Sequence, residues 1–314
     1  MIDNRRDLSN GIALNSSMFN GARLIGPALG GWCIALVSDP HSYRGEALCF
    51  FVDGISYLAV IAALMAMRLP KYEAKIHTTK VMHGLIEGFQ YAFRFAPIRA
   101  ILVLVGVVSL LGISNLVLMP AVAANVLHGG AETYGWLMAA SGVGALTGAI
   151  FLASRRDVRG LGRIIIIATT MFGSGLIGFS LCGYLPAPLN LICSFLALAF
   201  SGFGMMVQMA SGNTILQTIV DDDKRGRVMG FYTVSALGTA ALGSLIAGGM
   251  ANWIGPQRTL AVGGAICLLA AAAFSWHLPQ LREQIRPIYR RMGILPAVAE
   301  GLQTAAEVGQ NRQD

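Results

Sequence analysis

The stretch ARLIGPALGG, residues 22–31, lies inside an apolar run that extends from residue 12 to residue 37. Three glycines in it would let a neighbouring helix approach closely: Gly26, Gly30 and Gly31. Pro27 removes one backbone hydrogen bond and permits a kink. An apolar run of about 20 residues is long enough to cross a bilayer as a helix. The stretch therefore predicts a membrane helix with a face for close helix contact, although a generic glycine packing seam would have the same pattern.

The composition of the whole chain is that of a membrane protein. Of its 314 residues, 55% are hydrophobic and 12% are charged, and the mean hydropathy is +0.62. A typical soluble domain carries roughly 25% charged residues. The chain lacks the charge that a water-facing surface of this size needs, so a soluble protein is excluded.

Neither the basic residues nor the cysteines indicate a nucleic-acid, metal or cofactor site. The net charge is +7, but the basic residues lie in short runs between apolar stretches and match no nucleic-acid-binding motif. The cysteines are odd in number and form no CxxC or Cys/His cluster: Cys33, Cys49, Cys182, Cys193 and Cys267. We therefore expect no nucleic-acid partner, no metal and no cofactor.

Eight apolar runs are long enough to cross a membrane, and each ends at a charge, a proline or a polar turn. We number them spans 1 to 8: residues 12–37, 47–67, 99–120, 133–153, 163–183, 187–212, 229–251 and 258–278. Twenty of the 23 Lys and Arg residues fall in the segments that alternate spans would place on one side. The positive-inside rule makes that side cytoplasmic and predicts that both termini lie inside the cell.

The longest cytoplasmic loop, residues 69–98, carries apolar residues at helical spacing with charged residues between them. This pattern predicts an amphipathic helix on the cytoplasmic membrane surface that joins two bundles, with a simple polar linker as the alternative. After Pro279 the chain becomes basic, which suits contact with anionic lipid headgroups. The residues concerned are Arg282, Arg286, Arg290 and Arg291.

The sequence also repeats itself at an offset of 217 residues. Residues 4–14 and 25–31 correspond to residues 221–231 and 242–248. Each pair is a charged cytoplasmic turn that leads into an outward-running helix with a close-packing seam. Repeats of the same orientation are typical of transporters built from two homologous halves.

Residues 22–31 resemble motif C, the antiporter motif in the fifth helix of drug exporters of the major facilitator superfamily. Three longer stretches resemble the exporter group that includes the bacterial enterobactin exporter: residues 5–31, 134–153 and 213–233. The resemblance covers most of residues 4–280. It implies an all-α integral membrane protein whose eight spans correspond to the fifth to twelfth of twelve helices.

The resemblance also implies a division of the chain. Residues 1–68 would be the last two helices of the N-terminal half, and residues 69–98 the cytoplasmic linker. Residues 99–280 would form the complete C-terminal six-helix half, and residues 281–314 a basic cytoplasmic tail. The first four helices of the family are not in the sequence. We therefore expect a truncated gene, a miscalled start, or a chain that needs a partner to supply those helices.

Ionisable residues inside a span are functional candidates because lipid burial of a charge is costly. Arg23 shares a helical stripe with the motif in span 1 and would contact an anion or a gate, or bind backbone carbonyls. Asp53 in span 2 is the only acid well inside a span. It could take part in proton coupling if desolvation raised its pKa. Packing or a hydrogen bond is the alternative for Asp53.

The resemblance assigns three further groups of residues. The motif C contact comprises Arg23, Gly26, Pro27, Gly30 and Gly31. A degenerate copy of the basic motif A loop comprises Arg155, Arg156, Asp157, Arg159 and Arg163. A substrate cavity would be lined by Asn20 and by residues of spans 3 and 6: Ser109, Asn115, Gln208, Ser211 and Asn213, beside Met205, Met206 and Met209. Hydrogen bonds between helices are an equal alternative for each cavity residue.

No enzyme signature is present: HExxH, GxSxG and GxxxxGK[ST] are all missing from the sequence. Gly142 and Gly144 resemble part of a dinucleotide loop, but they lie in span 4, where Gly144 and Gly148 predict a helix-packing seam. We expect no enzyme but a proton-coupled secondary exporter of a drug, siderophore or metabolite in the inner membrane, surrounded by the lipid bilayer. The alternative is a non-transporting fragment or a half-transporter.

Overall fold

The computed structural model describes residues 44–67, 81–112, 115–155 and 158–291, and all regular secondary structure in these ranges is helical. Seven of its helices are long and apolar enough to cross a membrane. They coincide with predicted spans 2 to 8 and confirm the all-α membrane fold. Span 1, with the motif at residues 22–31, lies outside the described residues.

Five of the seven described spans are single α-helices, and two are interrupted. Spans 2, 4, 5 and 6 are Arg44–Ala66, Ala131–Ala153, Leu161–Cys182 and Leu189–Ile219. Span 3 comprises Ala96–Val107, a π-helical turn at Val108–Gly112, and Asn115–Asn125. Span 7 comprises Asp222–Thr233, a π-helical turn at Val234–Gly238, and Thr239–Ile254. Span 8, Pro256–Arg291, continues as one helix past the end of its apolar run.

Two glycines make the turns that start spans 5 and 8. Gly160 has φ +80° and Gly255 has φ +86°, both in the left-handed region that residues with a side chain rarely adopt. Gly160 directly precedes span 5, and Gly255 directly precedes span 8. Each turn therefore depends on glycine for its backbone conformation.

Two clusters of buried apolar side chains fill the bundle of spans 3 to 8. The larger includes Phe172 and Leu216, and lies toward the side predicted to be cytoplasmic. The smaller includes Phe179 and Leu198, and lies toward the opposite side. Because lipid tails are as apolar as leucine, close packing rather than water exclusion holds such a bundle together.

Span 6 crosses span 4 at a seam of small residues. A Cβ on Gly144 would overlap the carbonyl oxygen of Ala199, and a Cβ on Gly202 would overlap that of Ser141. One turn further along span 4, a Cβ on Gly148 would lie 3.0 Å from the Phe203 carbonyl oxygen. The predicted packing seam in span 4 is therefore confirmed, and span 6 is the helix that it receives.

Val81–Arg94 forms a helix that packs against the start of span 7; we call it the linker helix. Arg227 Nη1 lies 2.8 Å from Glu87 Oε2 in an ion pair, and the Tyr91 hydroxyl donates to Asp221 Oδ2 at 3.2 Å. The Lys224 ammonium lies 4.6 Å from the centre of the Tyr91 ring. The polar face of the linker helix therefore makes specific contacts with Asp221 and with the first two turns of span 7.

Span 2 differs from the other spans in its packing. From Phe50 to Met67 its side chains are exposed on every face, so the described part of the chain does not cover them. Asp53 is among these exposed residues. The Ser56 hydroxyl donates to the Asp53 backbone oxygen at 2.7 Å, as a helical serine commonly does.

Candidate functional site

Span 6 is the most closely packed helix of the bundle, and two more of its glycines explain why. A Cβ on Gly204 would lie 2.5 Å from the Ala168 carbonyl oxygen and 2.6 Å from the Phe172 nitrogen, both in the backbone of span 5. A Cβ on Gly212 would lie 3.4 Å from Ile101 Cγ2 in span 3. Together with the seam to span 4, these contacts bring span 6 close to spans 3, 4 and 5.

One face of the second half of span 6 carries two methionines and two amides. Met206, Met209, Asn213 and Gln217 follow one another at spacings of three and four residues, so they share one helical face. The first three are half-buried and Gln217 is exposed. Gln217 Nε2 donates a hydrogen bond to Asn213 Oδ1. We call this surface the Met/Asn face.

The Met/Asn face lies between spans 4 and 7. On one flank, a Cβ on Gly148 of span 4 would lie 3.4 Å from Met206 Cβ. On the other, the Tyr232 hydroxyl of span 7 donates to the Met209 backbone oxygen at 2.8 Å. Flexible, polarizable thioethers beside amides make a surface that can adapt to bulky amphipathic molecules.

Four of the polar residues predicted to line a cavity lie instead in the interior of the bundle. Their exposed fractions are 1% for Ser109, 7% for Asn115, 1% for Gln208 and 0% for Ser211. The polar atoms without a hydrogen-bond partner in the described structure include both side-chain polar atoms of Gln208, both serine Oγ atoms and Asn115 Oδ1. Leaving a buried polar group unpaired costs roughly 1–3 kcal/mol.

Two of these buried groups lie at one level of the membrane. Val105 of span 3 faces Gly212 of span 6, with Val105 Cγ2 3.8 Å from where a Gly212 Cβ would be. Spans 3 and 6 run in opposite directions, so one turn outward from this contact leads to Ser109 on span 3 and to Gln208 on span 6. The two unpaired side chains therefore form a polar layer within the packed bundle.

The π-helical turns of spans 3 and 7 meet near the same layer. The Thr239 hydroxyl, directly after the turn in span 7, donates to the Gly106 carbonyl oxygen of span 3 at 3.1 Å. Gly106 lies two residues before the turn in span 3. Such turns are uncommon and occur frequently at functional sites.

The other predicted site residues that the structure describes lie apart from the Met/Asn face. Arg155, Arg159 and Arg163 are exposed at the turn between spans 4 and 5, where Arg155 Nη2 donates to the Arg159 backbone oxygen at 3.5 Å. Asp53 is on span 2. Outside the described residues lie Asn20, Arg23, Gly26, Pro27, Gly30, Gly31, Arg156 and Asp157.

Gln217, Tyr232 and Thr239 were not singled out from the sequence. Gln217 could have been found, because it follows Asn213 by one helical turn. Tyr232 and Thr239 bind backbone oxygens of other spans, and nothing in a single sequence indicates those partners. In the described ranges, no group of three or more His, Cys, Asp or Glu residues could hold a metal ion.

Comparison with known proteins gives a consistent result. The profile of the MFS_3 family, described as transmembrane secretion effector, matches residues 1–301. The chain is 22% identical over 259 residues to the staphyloferrin A transporter of Staphylococcus aureus, which covers 82% of this chain and 61% of that protein. It is 27% identical over 282 residues to the multidrug efflux pump Tap of Mycolicibacterium fortuitum, which covers 88% of this chain and 64% of that protein.

The multidrug efflux pump Tap of Mycobacterium tuberculosis is 26% identical over 276 residues, with 85% of this chain and 61% of that protein covered. The chain thus spans about three fifths of the length of the curated relatives that it matches.

Proposed function

Because the chain belongs to the MFS_3 family of transmembrane secretion effectors, we propose that it takes part in moving a small molecule out of the cell. The proposed mechanism is secondary transport by alternating access, coupled to protons, rather than an enzymatic reaction. The named relatives are a siderophore transporter and multidrug efflux pumps, which supports a drug, a siderophore or a metabolite as the substrate class.

The observation that best supports a substrate path is the Met/Asn face of span 6. It places two thioethers and one amide together on a half-buried helical face between spans 4 and 7: Met206, Met209 and Asn213. We propose that a bulky amphipathic substrate contacts the two thioethers and hydrogen-bonds to the amide of Asn213. Ser109 and Gln208 would then lie behind the substrate path, in the interior of the bundle, and would not contact the substrate.

Efflux of a fluorescent amphipathic cation such as ethidium tests this proposal. Cells that contain Asn213→Leu should lose the dye at least about fivefold more slowly than cells with the parent chain, as expected when one hydrogen bond to substrate is lost. Thr214→Val is the matched control, because Thr214 is an exposed polar residue of span 6 that binds only its own helix, at the Ala210 oxygen. Equal rates for the two variants would overturn the role of the Met/Asn face.

Transport itself is tested in the same assay. Efflux no faster than in cells with an empty vector would contradict transport by this chain, and efflux insensitive to an uncoupler would contradict proton coupling. Asp53→Asn tests whether that carboxylate is the coupling group. Arg23→Ala and Gly30→Leu test the proposed moving contact at the motif of span 1.

The relatives are longer than this chain, which supports a second arrangement. We propose, as the alternative, that a further polypeptide supplies helices that the relatives contain. Efflux by the chain alone is compared with efflux after co-expression of four preceding helices taken from a relative. Efflux only in the second case identifies a half-transporter, and efflux in neither identifies a non-transporting fragment.

The charge distribution supports an inner-membrane protein with both termini in the cytoplasm. A reporter that is active only in the cytoplasm, fused after residue 291, should be active. A reporter fused in the turn between spans 5 and 6 should be inactive. The opposite pattern would invert the proposed orientation.

A further inference from the structure

A cavity of about 410 Å³ lies where span 8 leaves the apolar part of the bundle. Its walls are the last turns of span 8, the turn before span 5, and the first turn of span 3. By the orientation proposed above, this is the cytoplasmic edge of the membrane. The cavity is separate from the Met/Asn face, and none of the residues of that face lines it.

One face of span 8 passes from apolar to basic along this cavity. Phe274, Leu278, Arg282 and Arg286 all line it and are spaced by four residues, so they form one row along the helix. Each step advances about 6 Å along the axis. The row therefore carries two apolar side chains at membrane depth and two guanidinium groups roughly 6 and 12 Å beyond them.

A third guanidinium reaches the cavity from a different element. Arg159 lines it from the turn before span 5, where the left-handed backbone of Gly160 (φ +80°) lets the chain reverse. The cavity also holds one carboxylate, that of Glu283. Among the described residues that line the cavity, three arginines and one glutamate give the rim a net positive formal charge. Ile101 and Phe274, 3% and 7% exposed, make the floor apolar.

We propose that this cavity binds one anionic phospholipid of the cytoplasmic leaflet. The guanidinium groups of Arg159, Arg282 and Arg286 hold the phosphate, because arginine forms paired hydrogen bonds to phosphate oxygens. The upper part of an acyl chain lies against Phe274 and Leu278. Basic pockets between membrane helices on the cytoplasmic side are suited to such headgroups. A soluble phosphate would use the arginines but would leave the apolar floor without a ligand.

The test uses the full chain purified in detergent and mixed with phosphatidylglycerol, with phosphatidylcholine as the zwitterionic comparison. Retained lipid is counted by native mass spectrometry. The parent should retain one phosphatidylglycerol in preference to phosphatidylcholine. Arg282→Gln and Arg286→Gln should each weaken that retention about fivefold, as expected for one basic charge at a membrane surface. Arg159→Gln should act alike from a separate element.

Arg290→Gln is the matched control, because Arg290 belongs to the same basic segment but does not line the cavity. Equal losses in Arg290→Gln and Arg282→Gln would reduce the effect to general surface charge and overturn the site. Displacement of the lipid by millimolar inorganic phosphate or glycerol 1-phosphate would assign the cavity to a soluble anion instead. Thermal unfolding without added lipid should be the same for all four variants, which separates binding from folding. None of these readouts depends on transport.

Discussion

Replacing Gly204 by alanine should separate spans 5 and 6. The added Cβ would lie 2.5 Å from the Ala168 carbonyl oxygen and 2.6 Å from the Phe172 nitrogen. Ordinary contact begins at 3.4 Å, so the two backbones would have to move apart by up to 0.9 Å, the difference between 3.4 and 2.5 Å. Both obstructing atoms belong to the main chain of a helix and cannot rotate away as a side-chain terminus could.

Span 5 also cannot easily move away from span 6, because span 8 packs against it. On its other side, a Cβ on Gly173 would lie 2.7 Å from the Gly264 carbonyl oxygen of span 8, so these backbones already touch. Overpacking a close-packed interior costs typically 1–3 kcal/mol. Because neither neighbour can yield, we expect a value near the upper end, about 3 kcal/mol.

Gly249→Ala is the control that isolates this overlap. Gly249 lies in the helical part of span 7, and no atom of the described residues comes within 4 Å of where its Cβ would be. Both substitutions gain helix propensity, about 1 kcal/mol for Gly to Ala in a helix interior. Comparing the two alanine variants cancels that gain and leaves the cost of the overlap at Gly204.

Unfolding can be followed through Cys267 of span 8, whose side chain is fully buried against spans 3 and 5. In a background that lacks the other cysteines, a thiol-reactive dye reports unfolding as denaturing detergent is added. We expect Gly204→Ala to be 2–3 kcal/mol less stable than Gly249→Ala. A difference below about 0.5 kcal/mol would refute the close backbone contact.

Four further substitutions give three measurable predictions. Glu87→Gln and Arg227→Gln should each lower the free energy of opening of the linker helix by at most about 1 kcal/mol, because both partners are partly exposed. Protease cleavage within residues 81–94 measures this opening. A double-mutant cycle should show coupling between the two substitutions, and additive effects would contradict the ion pair. Tyr232→Phe should cost roughly 0.5–1.5 kcal/mol through the lost hydrogen bond to Met209, and an unchanged free energy of unfolding would contradict that bond. Gln208→Met should raise the free energy of unfolding by about 1 kcal/mol because it removes an unpaired buried amide; a loss of stability would show that the amide has a partner.

The positions of the spans could be predicted from the sequence because a membrane helix needs about 20 mostly apolar residues in a row. This requirement holds whichever helices the span packs against. The seam at Gly144 and Gly148 could also be predicted, since two small residues four apart make a groove on any helix. What the sequence left undetermined was the partner of that groove. Ala199 and Phe203 lie against it from a helix some 50 residues away, and a single sequence contains no signal for that pairing.

The candidate site was harder to predict because it depends on how span 6 is rotated about its axis. Gln208, Ser211 and Asn213 look alike as polar residues in an apolar helix. At 100° per residue, however, Gln208 and Asn213 point about 140° apart. The glycines decide which of them is open: Gly204 and Gly212 turn the side of Gln208 toward spans 5 and 3, and Asn213 is left on the Met/Asn face.

The same backbone contacts restrict which spans can move relative to one another in the proposed export mechanism. Spans 4, 5 and 6 touch backbone to backbone, so sliding or rotating one against another would require the overlaps described at Gly144 and Gly204. These three spans should therefore move together. Spans 3 and 7 instead pack through side chains and share one hydrogen bond, from the Thr239 hydroxyl to the Gly106 oxygen. Beside this contact lie two π-helical turns, whose wider hydrogen-bond pattern can return to α-helical pairing by shifting one residue. During the proposed alternating access we therefore expect spans 3 and 7 to deform, and span 7 is one of the two helices beside the Met/Asn face.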